Sequence, residues 1–269
     1  MTHQDFVTKF LKGLGAEIGA FESPVPGIKP IYIDKFKEFA GVPCKADYYG
    51  EAINLPFLDE SLDYIVASHV LEHSANPIAA LGEWYRALKP GGIAYVIVPD
   101  KRYTWDRERP DTTLEHMIED YQNGVTDCDP THIDDFAFGI DWAEFAAITE
   151  ENLIEAQRRH YADSCKEQVA RGEDINIHFH VFTPGNFKSL IADASRMESI
   201  PYDWEIKGFE EQFPAEHKNG ILAILEKRAK KEWRHAVPNV VHKLFHRSYP
   251  LTSTAISFEK HWKTANNNQ

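Results

Sequence analysis

At 269 residues the chain is long for one minimal domain and short for two full ones, which points to a single core carrying an insertion. A hydrophobic share of 43%, with 16 Phe, 11 Tyr and 6 Trp, suffices to build that core. The formal net charge of −13 argues against bulk nucleic-acid binding, because a phosphate backbone is repelled at long range. Cys44, Cys128 and Cys165 are widely spaced and form no CxxC pair, so neither a disulfide framework nor a cysteine zinc site is expected. The opening MTHQDFVTKFLKGLG lacks the apolar core of a signal peptide, and no apolar run approaches membrane-spanning length. A cytoplasmic protein without a membrane span is therefore expected.

In chain order, Phe6, Val7, Phe10, Leu11 and Leu14 recur at helical spacing, and GAEIGAF follows. A loop with Pro24, Pro26 and Gly27 leads to a short strand, IYID, over Ile31–Asp34, and a third strand or sheet edge is expected near Lys45–Tyr49. Leu62–Ser68 reads as a buried strand, followed by a helical stretch, a Lys89-Pro90-Gly91-Gly92 turn and a second apolar strand, Ile93–Val98. That succession is a right-handed βαβ unit in a parallel sheet, whose chemistry belongs at the carboxyl ends of its strands. Residues 101–176 lose sheet periodicity, gain charge, histidine and aromatic residues, and read as a helical insertion with helices near Thr112–Gln122 and Glu144–Ala170. An insertion placed after a strand end is where substrate lids sit. HFHVFTP (His178–Pro184) resumes the sheet, and strands at Trp204–Phe209 and Gly220–Leu225 close it. Residues 1–226 thus form one domain, and 227–269 a basic tail. In that tail Lys227, Arg228, Lys230, Lys231 and Arg234 read as a solvated helix, and Val240, Val241, Leu244 and Phe245 as a patch able to dock on the core or on a second copy in a homodimer.

The string LPFLDESLDYIVASHVLEH, followed by LKPGG, resembles the class I S-adenosylmethionine-dependent methyltransferases, in particular their type 11 branch. The resemblance implies an α/β three-layer sandwich with a mostly parallel seven-stranded sheet, a Rossmann-like methyltransferase fold, whose last strand is antiparallel. It implies S-adenosylmethionine as cofactor. Glu17, Gly19 and Ala20 stand where the family's first glycine motif belongs, with fewer glycines than usual. A glycine there lets the backbone approach the methionine part of the cofactor. Asp34, at the end of the IYID strand, can accept both ribose hydroxyls; the alternative is a helix cap. Glu51 and Ala52 match the acidic–small pair that contacts the adenine amine, and Ser68 and His69 would lie near the sulfonium.

Methyl transfer needs donor and acceptor held in line and, for a hydroxyl acceptor, a group to take its proton. Histidine suits that task, and His69, His73, His178 and His180 are the candidates. His69, Glu72 and His73 at i, i+3 and i+4 would share one helix face. Together with His178 they resemble the metal-binding Glu-x-x-Glu-His pattern, plus a distant histidine, of small-RNA 2′-O-methyltransferases and ubiquinone-pathway O-methyltransferases. A divalent metal on His69, Glu72, His73 and His178 is therefore one reading; metal-free base catalysis by a histidine is the favoured one. His178 and His180, two apart on a strand, would point to the same side. Tyr103, Arg107, Arg109 and His116, in the insertion, are candidates for binding the acceptor, the arginines suiting an anionic one. The expected activity is O-methylation of a small polar or sugar-like acceptor, with a glycan as a further candidate. N-methylation and a turnover-deficient methyltransferase-like partner protein are the alternatives.

Overall fold

In the computed structural model of the protein, residues 3–39 and 41–228 are described. Helix α1 (His3–Phe10) precedes β1 (Gly15–Ile18) and β2 (Ile31–Asp34); a small hairpin, β3 (Glu38–Phe39) and β4 (Val42–Pro43), precedes β5 (Tyr48–Tyr49). Then come β6 (Leu62–Ser68), α2 (Pro77–Ala87) and β7 (Leu88–Pro99). Four helices follow, α3 (Leu114–Asn123), α4 (Ile133–Gly139), α5 (Trp142–Phe145) and α6 (Glu151–Ala170). The described residues end with α7 (Pro184–Lys188), β8 (Trp204–Phe213) and β9 (Gly220–Lys227).

Seven strands form one sheet in the order β5-β2-β1-β6-β7-β9-β8. β5, β2, β1, β6 and β7 pair in parallel, and β9 runs antiparallel to both β7 and β8. This is the expected seven-stranded Rossmann-like sheet with an antiparallel strand near its closing edge. Side-chain alternation sets its layers. On β6, Ile65 and Ala67 enter one core and Tyr64 and Val66 the other; on β7, Ala94, Val96 and Val98 oppose Ile93, Tyr95 and Ile97. The first core is closed by α2, α3 and α7, the second by Phe6, Val7 and Leu11 at α1.

Three local readings change. The segment after β6 is a single 3-10 turn, Leu71–His73, and α2 starts only at Pro77, where the Asn76 side chain accepts the Ala79 N–H and proline occupies the first turn. His69 lies outside any helix, in the left-handed region at φ 56°. HFHVFTP is not a sheet strand: its single sheet-like contact among the described residues is the bridge between Asp100 and Phe182. Its backbone groups go instead to the insertion, with the His178 and Phe179 carbonyls accepting from Arg109 and the Val181 N–H donating to Thr112. Lys227, placed at the head of the basic tail, is the buried last residue of β9 and donates to the Leu88 carbonyl at 2.7 Å. The remaining tail residues, from 229 onwards, lie outside the described residues.

Helices α4 to α6 and the segment after them carry a third apolar core built on Ile133, Phe136, Trp142, Ala162, Ile175 and Phe179. Thr113 caps α3 by accepting the His116 N–H, and Gly124, in the left-handed region, ends it. Cys44, Cys128 and Cys165 are free thiols.

Candidate active site

A cleft of about 690 Å³ opens at the carboxyl ends of β1, β2 and β6. Glu17, Gly19, Ala20, Asp34, Glu51, Ala52, Ser68 and His69 all line it, together with His73 and His178. The structure therefore brings the eight expected cofactor residues and three of the four candidate histidines to one place.

Local chemistry builds the half near β1 and β2. Gly19 has φ 64° and donates its N–H to the Ile33 carbonyl; a Cβ there would stand 2.7 Å from Val70 Cγ2. The buried Asp34 accepts the Phe36 N–H at 2.9 Å, and its own carbonyl receives the Gly50 N–H. Burial pushes the Asp34 carboxyl above its ordinary value against the Phe36 and Lys35 N–H groups and the Cys44 thiol. The loop carrying Glu51 and Ala52 is tied down by α2, since Trp84 Nε1 donates to the Ala52 carbonyl at 3.0 Å and the Leu55 N–H to Glu83 at 2.7 Å.

Glu17 is buried, and its Oε1 accepts the Val25 N–H at 2.7 Å, so it shapes the loop after β1. Burial outweighs the Val25 N–H and Lys45 and pushes its pKa up to about 7. A carboxyl raised in the folded state destabilises it progressively as pH rises from the unfolded value of 4.5 through about 7. Glu17→Gln, which keeps an oxygen for Val25, is expected to stabilise the ligand-free protein by ~2 kcal/mol at alkaline pH. The gain should fade as pH falls towards the unfolded value. Urea denaturation across pH checks it, and a gain that does not vary with pH would contradict the burial of this charge.

The opposite half of the cleft is histidine-rich. Glu72 is fully buried, with neither carboxylate oxygen hydrogen-bonded. His69 Nδ1 stands 3.5 Å and His73 Nε2 3.9 Å from its Oε1. Burial alone would raise the Glu72 carboxyl, but His69, His73 and His178 together hold it below its ordinary value. His69 is shifted up, because Glu72 outweighs burial; His73 is shifted down, chiefly by burial. Glu72, His73 and His178 offer ligand atoms within 4.8 Å of one another. His178 donates through Nδ1 to the buried Asp106 carboxylate at 2.6 Å, stacks on Trp105 with centroids 5.5 Å apart, and meets the His73 ring edge-on at 4.7 Å. His178 and Arg109 together hold the Asp106 carboxyl below its usual range despite burial.

The remaining expected residues do not reach the cleft. His180 is wholly buried, and burial pushes its imidazole down to about 3, so it cannot take a proton near neutrality. It gathers with His116, Asp120 and His132 in a separate group. Arg109 is buried between Asp106 and Asp135, and Arg107 pairs with Asp141 and Glu144 at the surface. Tyr103 is exposed and accepts from Gln212 at 2.8 Å. Asp106 and Asp135 pair with Arg109, and Asp141 and Glu144 with Arg107, the arginines that looked suited to an anionic acceptor. Conversely, Asp106, Trp105, Phe136, Phe145, Tyr161 and Asn176 shape the cleft without having been singled out for it. The one advance signal was Trp105 and Asp106 following β7 directly. Lys35 ties this wall to β2 through Asp127 at 2.7 Å and Asp174 at 2.9 Å.

The strand order and the cleft at the β1, β2 and β6 ends define the class I S-adenosylmethionine-dependent methyltransferase fold. Residues 34–96 match the model of the type 11 family described as "Methyltransferase domain". Over 59 residues the chain is 44% identical to the biotin biosynthesis bifunctional protein BioHC of Teredinibacter turnerae, covering 22% of this chain and 10% of that protein. Over 45 residues it is 44% identical to a demethylmenaquinone methyltransferase of Staphylococcus epidermidis, covering 17% of this chain and 19% of that one. The chain thus spans no more than about a fifth of the length of either of these curated relatives. Among solved structures it is similar to a SAM-dependent methyltransferase of Methanosarcina mazei, with 17% identity, a TM-score of 0.44 and coverage of 84% of this chain and 98% of that one.

Proposed function

We propose that the protein transfers a methyl group from S-adenosylmethionine to a hydroxyl oxygen of a small polar or sugar-like acceptor. The observation that supports this reading is the pairing, in one cleft, of a donor-type half with an Asp106–His178 couple facing it. A cleft of about 690 Å³ has room for a nucleoside-sized donor and a small acceptor. The residues present suit the donor. Asp34 would accept the ribose hydroxyls, Glu51 and Ala52 would meet the adenine edge, and the Gly19–Ala20 backbone would admit the methionine part. Ser68 and His69 would flank the sulfonium. When bound, S-adenosylmethionine supplies a methyl group already activated by positive sulfur.

The protein's own work is then to align the acceptor and handle its proton. Asp106 fixes the His178 ring through Nδ1, which leaves Nε2 to receive the hydroxyl proton. Trp105, Phe136, Phe145 and Tyr161 wall the cleft and exclude water from the transfer, with residues 101–176 acting as a substrate lid. A metal-assisted form of the same reaction is favoured by one observation, the unbonded buried oxygens of Glu72 beside His73 and His178. An ion there would polarise the acceptor oxygen.

Transfer of labelled methyl groups to a panel of sugars, polyols, phenols and amines tests the reading, with and without chelator. Label in hydroxyl acceptors is expected. Label confined to amines would replace it with N-methylation, and loss of transfer on chelation would select the metal-assisted form.

A further inference from the structure

Away from the cleft, four side chains from three separated stretches converge. His116 and Asp120 lie one turn apart on α3, His132 immediately precedes α4, and His180 lies on the segment returning from α6. Each offers one ligand atom, and these lie within 4.8 Å of one another. His116 Nε2 and His132 Nε2 are 3.0 Å apart. Each is 3.3 Å from Asp120 Oδ2. A tetrahedral ion bound at about 2.0–2.1 Å places its ligand atoms about 3.3–3.4 Å apart.

The unsatisfied atoms point the same way. Asp120 Oδ2 and His180 Nδ1 are buried and have no hydrogen-bond partner, and Asp120 and His180 are only 6% and 0% exposed. Leaving such atoms unpaired away from water is costly. The outer contacts also resemble those of ligating imidazoles, which engage their second nitrogen with a hydroxyl or carbonyl. His132 Nδ1 meets Thr131 Oγ1 at 2.9 Å, and His180 Nε2 lies 3.2 Å from the Ala75 carbonyl.

We propose that His116, Asp120, His132 and His180 hold a structural zinc ion. Three imidazole nitrogens and one carboxylate suit zinc; magnesium and calcium prefer all-oxygen shells. Four protein ligands leave no open position, so the ion fastens structure and does no chemistry. It joins α3, the start of α4 and the returning segment at a point two residues from His178. Through Ala75, it also borders the turn that carries His73. The ion would therefore fix the histidine wall of the cleft from behind.

The test is elemental analysis of the untagged full chain after dialysis into metal-free buffer, followed by titration with zinc and then cobalt. One zinc per chain is expected, and cobalt in its place should give the intense visible bands of a tetrahedral site. His116 is the most exposed of the four, so His116→Ala is the variant most apt to fold. It should weaken zinc binding at least about tenfold. Glu72→Gln, in the other histidine group, should leave stoichiometry and cobalt spectrum unchanged. Failure of the folded wild-type chain to bind zinc or cobalt would overturn the proposal. So would an octahedral cobalt spectrum, or an ion lost in Glu72→Gln and kept in His116→Ala. If His116→Ala does not fold, the wild-type stoichiometry and cobalt spectrum decide alone.

Discussion

Replacing Arg109 with methionine is expected to cost about 3–5 kcal/mol of stability, the usual result of removing one partner from a buried charge network. Arg109 is 1% exposed, yet its guanidinium is fully used. It donates to Asp106 at 2.8 Å, to Asp135 at 2.6 Å, and to the carbonyls of His178 and Phe179 at 2.9 and 3.3 Å, and it lies over the Phe136 ring. Methionine preserves much of the apolar volume, so the loss isolates the charge and its bonds. It would leave two carbonyls without their donor and Asp106 buried with His178 as its remaining partner. Chemical denaturation of the purified variant measures the loss. A cost under about 1 kcal/mol would mean that Arg109 is not what holds the 178–179 backbone in place.

The second large effect falls on turnover. His178→Ala is expected to lower kcat by roughly 10²–10⁴-fold, the range for removal of a positioned general base. Donor affinity should hold, because Asp34, Gly19 and Glu51 lie on the other half of the cleft. On the proposed reading Asp106 acts through His178 and is a positioning residue. Asp106→Asn should therefore lower kcat while leaving the donor Kd and the acceptor KM near wild type. A merely structural role would move stability and both binding constants together. Steady-state kinetics with calorimetric donor binding separate the two. An unaltered kcat in His178→Ala would pass the proton-accepting role to His73, the cleft imidazole whose ring meets that of His178 edge-on.

How far the sequence reveals this arrangement depends on how local the determinant is. The sheet was legible because β6 and β7 contain the apolar runs Tyr64–Ala67 and Ile93–Val98, whose alternating residues must feed two cores. That the residues of the proposed donor half share one cleft was legible because they sit at or just after strand ends, and strand order alone gathers strand ends on one edge. The spacing of His69, Glu72 and His73 misled, since it suits a helix; Asn76-Pro77 carried the contrary signal of a helix starting later. His178 and His180 looked equivalent because period two presumes a strand. The bonds from Arg109 and Thr112 draw that backbone away from the sheet and send the two rings to different places. Asp106, three residues from Arg109, is a local partner, but Asp135 for Arg109 and Asp141 and Glu144 for Arg107 lie 26 to 37 residues away and Asp120 lies 60 from His180, so only the tertiary structure could show these pairings.

The most direct test of the central claim is calorimetric titration of the folded protein with S-adenosylhomocysteine, alongside Asp34→Ala and Gly19→Val. One site of micromolar affinity is expected in the wild type. Asp34→Ala should weaken it at least tenfold, by about 1.4 kcal/mol or more, through loss of the ribose contacts. Gly19→Val should weaken it similarly, because a side chain there is strained at φ 64° and collides with Val70. A folded wild-type protein that takes up no S-adenosylhomocysteine, or variants that bind it as well as wild type does, would contradict the assignment of this cleft to the methyl donor.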